Sequence, residues 1–88
     1  MVVSVKILSY KRPQRYAVRQ TLLAARNVLR KPYPDFDFEI VEVKTIEGME
    51  QYTQVLILPS LVVNEKLVCV GRFPKKDEVV QWLQQARL

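Results

Sequence analysis

The chain has no histidine, one cysteine and two glycines in 88 residues. Without an imidazole, Ser-His and Cys-His catalysis are excluded. A single cysteine, Cys69, forbids an intramolecular disulfide, and the missing histidines remove the other common ligand of a structural zinc site. No catalytic residue is assigned, and neither a metal nor a cofactor is expected. No run approaches the roughly 20 apolar residues of a membrane span. Met1–Leu8 is too short, and lacks the small-residue cleavage site, to read as a signal peptide. A reduced, cytoplasmic setting without membrane contact is the expectation. With five prolines, two glycines and no low-complexity stretch, nothing reads as a linker. Residues 1–88 are therefore expected to form a single domain.

Charge is unevenly spread. The chain carries a net +5, yet residues 1–31 hold Lys6, Lys11, Arg12, Arg15, Arg19, Arg26, Arg30 and Lys31 and no acid at all. All nine acids lie beyond that point. Such a split fits either an acidic partner for the first third or an internally dipolar domain.

Hydrophobic residues make up 49% of the chain, ample for a small core. Val2–Tyr10 is a near-continuous apolar run, the pattern of a central strand covered on both faces. Pro13 suits a helix start, and Pro13–Lys31 is the best helical segment. Wound at 100° per residue, Ala17, Val18, Thr21, Leu22, Ala24, Ala25, Val28 and Leu29 fill an arc of roughly 160°, predicted to face the core. Arg15, Arg19, Arg26 and Arg30 fall in an arc of roughly 60°, expected on the other, solvent side. Pro32 and Pro34 stop the helix. Asp35–Val43 alternates acidic and apolar residues with one slip at Ile40-Val41, as a strand with one wet face or a partly exposed edge does. Ile46–Thr53 reads as a short, weak helix broken by Gly48. Val55–Leu58 leads through Pro59 into the strand Ser60–Val63, which turns at Asn64-Glu65 into Lys66–Val70 as a hairpin. A last helix, Pro74–Arg87, presents Val79, Val80, Trp82 and Leu83. The order β-α-β-α-β-β-α predicts an α/β domain: a mixed four-stranded sheet with helices on its faces.

One stretch carries a family likeness: Leu58-Pro59-Ser60-Leu61-Val62-Val63, the turn Asn64-Glu65-Lys66, then Val70-Gly71-Arg72-Phe73 and the closing helix. It resembles the proline-strand-turn-strand-helix segment of thioredoxins and small glutaredoxin-like proteins. The resemblance implies a thioredoxin-like fold with a cis bond before Pro59, at a place where family members bind an extended substrate backbone. It also implies a Cys-x-x-Cys redox motif between the first strand and first helix, where a helix N-terminus lowers the thiol pKa. Here that place reads Tyr10-Lys11-Arg12-Pro13-Gln14-Arg15-Tyr16-Ala17, without cysteine. Dithiol and monothiol exchange at that position are impossible. Pro13 followed by Ala17-Val18-Arg19, and Leu58-Pro59-Ser60-Leu61, are similar to segments of the KaiB family of circadian-clock proteins, which also lacks the motif and acts by binding.

Cys69 lies in the apolar run Leu67–Val70, as expected of an inert core thiol. A reactive thiol needs exposure and a positive neighbour, for which only Lys66 or Arg72 is at hand. Glu47, Glu50, Asp77 and Glu78 stand near helix N-termini, where carboxylates offset the dipole. The arginine stripe lacks acids on its own helix, whereas exposed helices ordinarily mix signs. The expectation is thus a non-redox binding or adaptor module that meets an acidic protein through Arg12, Arg15, Tyr16, Arg19 and the edge near Pro59. Two other classes stay open: a thiol-disulfide oxidoreductase using Cys69, and a nucleic-acid-binding domain resting on the basic first third.

Overall fold

The computed structural model describes residues 3–54 and 57–87, in the order β1 (Val3–Leu8), α1 (Arg12–Leu29), β2 (Phe38–Val43), α2 (Ile46–Met49), β3 (Ser60–Val63), β4 (Lys66–Val70) and α3 (Lys76–Ala86). The four strands form one sheet in the order β2-β1-β3-β4. β1 and β2 are parallel, joined through α1, while β1/β3 and β3/β4 are antiparallel. This is the mixed α/β architecture expected from the element order. Part of the predicted Val55–Leu58 segment lies outside the described residues.

Side-chain alternation in β1 divides the core. Val3, Val5 and Ile7 point to the face covered by α1 and α3, where they pack with Val18, Leu22, Ala25, Leu29, Val79 and Leu83. Leu8 points to the other face, where Met49 of α2 and Val62 complete a smaller cluster. Each large side chain buried this way contributes about 1.5–3 kcal/mol. α2 is a single turn: Thr45 caps it, its hydroxyl accepting from Gly48 N–H at 3.1 Å, and Met49 anchors it. It is shorter than the expected Ile46–Thr53.

The hairpin turns as its sequence requires. Asn64 and Glu65 both adopt positive φ, 49° and 65°, the geometry whose twist suits two-residue hairpin loops. Asn64 also fastens three elements: its Oδ1 accepts from Ser4 N–H at 2.9 Å, and its Nδ2 donates to the Ala86 carbonyl at 3.2 Å. β4 carries a bulge at Val68, because the register skips from Leu61↔Cys69 to Val62↔Leu67.

Two expectations for α1 are corrected. Its buried stripe is Arg15, Val18, Leu22, Ala25 and Leu29; Val28 is exposed, and Ala17, Thr21 and Ala24 are only partly covered. The core arc is therefore narrower than the apolar residues alone outlined, and shifted toward the arginines. The arginine stripe also does not face away from the core. On the helical wheel Arg15 stands about 20° from Leu22, so the stripe borders the buried face, and in the fold that border lies along β2. There it meets acids from outside the helix. Arg15 Nε lies 2.9 Å and Arg19 Nη1 3.0 Å from the Glu42 carboxylate, and Arg26 and Arg30 approach Asp37 at 3.6 and 3.3 Å. Arg26 also lies over the Phe38 ring, and Arg30 Nε donates to the Phe36 carbonyl at 3.0 Å. The expected lack of acidic partners was a property of the helix, not of the fold.

Candidate functional site

Strand pairing gathers the segments at one end of the sheet. Leu8 pairs with both Val43 and Ser60, and Ser60 with Val70. The loop leaving β1, the residues entering β3 and those leaving β4 therefore emerge side by side. That end holds Tyr10–Arg12, the first turn of α1, Ile57–Pro59 and Gly71–Phe73.

The β1–α1 loop is fixed from within. Ser9 is buried, its hydroxyl accepting from Lys11 N–H at 3.0 Å and donating to Gln14 Oε1 at 2.6 Å. Arg15 Nη1 donates to the Ser9 carbonyl at 3.1 Å while its Nε holds Glu42. Arg15 thus ties the loop to β2. On the far side, the Leu58–Pro59 bond is cis. The Pro59 carbonyl accepts from Gly71 N–H at 2.9 Å. Gly71 has φ +71°, and a Cβ there would stand 2.3 Å from Ile57 Cγ2, so the hairpin exit and the Ile57 segment touch only because that side chain is absent.

What this frame presents to solvent is aromatic, apolar and basic. Tyr10 is 57%, Tyr16 64%, Ile57 52% and Phe73 51% exposed. Lys11 and Arg12 are exposed and form no ion pair among the described residues. The first turn of α1 carries no acid, so its dipole adds to their positive charge. Arg72 is different: it holds Glu78 in a two-pronged pair at 2.7 Å, and Glu78 also accepts from Lys75 N–H. Those bonds lower the Glu78 pKa to about 2, with the Arg72 guanidinium the largest cause.

The residues singled out in the sequence fall into two groups. Arg12 and Tyr16 lie on the exposed surface. Arg15 is buried and engaged, Arg19 is half-exposed and paired with Glu42, and Pro59 is buried beneath the rim it shapes. Tyr10, Ile57 and Phe73 were not singled out; Tyr10 and Phe73 follow the ends of β1 and β4 and Ile57 precedes β3, so only the pairing of these strands brings them together. Cys69 is buried in β4, its thiol donating to the Arg72 carbonyl at 3.4 Å. Burial raises its pKa, against the opposing pull of Arg72, the reverse of what a nucleophilic thiol needs. Among the described residues there is no group of three or more metal-ligating side chains, and no helix is long and apolar enough to cross a membrane.

Comparison with curated proteins and with solved structures gave no match. A family model described as thioredoxin domain matches residues 4–84, from the start of β1 through most of α3. Sheet order, the β1–α1–β2 unit, the closing hairpin and that match agree, and the chain belongs to the thioredoxin-domain family, with a single cysteine that stands outside the β1–α1 loop.

Proposed function

We propose that this domain works by binding, without redox chemistry, and that the end of the sheet with the cysteine-free β1–α1 loop holds an extended acidic segment of a protein partner. The observation that carries the reading is the exposed set Tyr10, Tyr16, Ile57 and Phe73 beside Lys11 and Arg12, which have no ion pair among the described residues, at the end of the sheet where Ser9 and Arg15 hold the β1–α1 loop. Aromatic side chains and arginine are enriched among the residues that carry interface energy. Arg12 and Tyr16 contact the partner in this reading. Arg15 positions the loop, and Pro59 sets the height of the Ile57 rim.

The adaptor role is favoured over a thiol oxidoreductase because Cys69 is buried and its pKa is raised. It is favoured over nucleic-acid binding because five cations of the basic first third, Lys6, Arg15, Arg19, Arg26 and Arg30, are held in ion pairs with Glu65, Glu42 and Asp37 within the fold. A photo-crosslinking amino acid at Tyr16 tests the reading in nuclease-treated lysate. The expected result is capture of one acidic protein at definite stoichiometry, with no capture from the same group at Gln84 on α3. Equal labelling from both positions refutes it.

A further inference from the structure

β2 and β4 are the two edges of the sheet; β2 carries the carboxylates Glu39 and Glu42, and only β4 is also bulged. β4 carries the bulge at Val68 and a lysine, Lys66, at its start, both devices that discourage an added strand. β2 has six residues in unbroken register with β1 and contains no proline, lysine or bulge. Val3 N–H donates to the Asp37 carbonyl and Ser9 N–H to the Val43 carbonyl, so odd-numbered β2 residues face β1. In a parallel ladder the alternate residues, Phe38, Ile40 and Glu42, then turn their backbone groups outward. Asp37 Oδ1 accepts the Phe38 N–H at 2.8 Å, which among the described residues leaves the N–H groups of Ile40 and Glu42 as the open row.

The arginine flank of α1 runs beside this row. Four guanidinium groups, Arg15, Arg19, Arg26 and Arg30, share two carboxylates, Glu42 and Asp37, so two positive charges are left over. Arg19 and Arg30 keep 42% and 40% of their side-chain surface exposed. On the opposite face of the same strand Val41 is exposed.

We infer that the outer edge of β2 accepts an extended acidic peptide as a fifth strand. Its acidic residues lie on the α1 side, against Arg19 and Arg30, and alternate with apolar residues beside Val41. The ladder groups of Ile40 and Glu42 supply the main-chain bonds. A second copy of this chain is the wrong occupant, because pairing two β2 edges about a two-fold axis sets one arginine flank against another. The surface is separate from the loop end described above, and neither reading depends on the other.

The test uses the full 15N-labelled chain and the peptide acetyl-(Glu-Val)3-amide, with acetyl-(Lys-Val)3-amide and a single-stranded oligothymidylate as comparisons. The acidic peptide is expected to slow exchange of the Ile40 and Glu42 amides about tenfold or more as they leave solvent. Arg19→Gln with Arg30→Gln is expected to weaken it about three- to tenfold. Arg15 and Arg26 remain in that variant to hold Glu42 and Asp37, and its spectrum reports directly that it is folded. A second variant, Ile40→Pro, removes one open donor and should weaken the peptide without changing its salt dependence. Shifts confined to Tyr10–Tyr16 overturn the proposal and leave the loop-end reading standing. Equal binding of the lysine peptide overturns it, as does an oligothymidylate that perturbs the arginines as strongly as the acidic peptide does.

Discussion

Replacing Arg15 by Met separates a structural arginine from a solvated one. The side chain is 11% exposed and makes two bonds that Met cannot: Nε to Glu42 at 2.9 Å, and Nη1 to the Ser9 carbonyl at 3.1 Å. Met keeps the aliphatic stem, so the loss is polar. Glu42 retains Arg19 at 3.0 Å, which limits the damage on the acid side. Among the described residues the Ser9 carbonyl has no such substitute. A hydrogen bond to a charged group is worth about 1.5–3 kcal/mol, so a net cost of about 2 kcal/mol is expected. For a domain of this size that lowers Tm by about 8–16 °C. Arg19→Met is the internal control, since its side chain is 42% exposed. An exposed pair contributes about 0.2–1 kcal/mol, which lowers Tm by about 1–8 °C. Thermal unfolding followed by far-UV circular dichroism, with Glu42→Gln added to close a double-mutant cycle, reads both effects. Equal Tm changes for the two arginines, or a rise for either, would refute the reasoning and return the stripe to a repulsive, solvated face.

Gly71→Ala should cost about 1–2 kcal/mol or more, from the left-handed backbone alone, with the Ile57 clash added; chemical denaturation measures it. Glu78 has its pKa lowered from 4.5 to about 2 in the folded state, so its contribution to stability is complete above pH 4.5 and is lost as pH falls toward 2. Melting temperatures across that window should fall less steeply in Glu78→Gln than in the wild type. Cys69 should react with a thiol reagent at one equivalent in denaturant and far more slowly in the native protein at neutral pH, because it is buried with a raised pKa. In an insulin-reduction turbidity assay the domain should not exceed the dithiothreitol-only rate, and Cys69-dependent acceleration would contradict the binding reading.

Local rules carried the fold far. The apolar run of β1, the prolines flanking α1, Asn64-Glu65 at the hairpin and the proline before β3 each express a constraint settled within a few residues. The arginine stripe did not, because its partners Glu42 and Asp37 come from another element. Their pairing follows from β2 lying parallel to β1 beside α1, which no helical wheel contains. The wheel did hold one unused clue: Arg15 stands nearer to Leu22 than to the opposite face. Val28 shows the reverse error, an apolar residue exposed because the helix packs on the Leu22–Leu29 side. At the loop end the chemistry-bearing residues Arg12 and Tyr16 were legible from charge and position. Ile57 and Phe73 were not, since only the adjacency of β1, β3 and β4 places them beside that loop.

The central claim is that the exposed loop end of this thioredoxin-domain protein recognises a protein partner. Quantitative comparison of what immobilised wild type and the Arg12→Glu, Tyr16→Ala variant retain from nuclease-treated lysate tests it most directly. Both side chains are exposed, so the variant should keep the wild-type Tm. The account predicts that an acidic protein retained at fixed stoichiometry by the wild type is lost by the variant. An identical retained set for the two would contradict it.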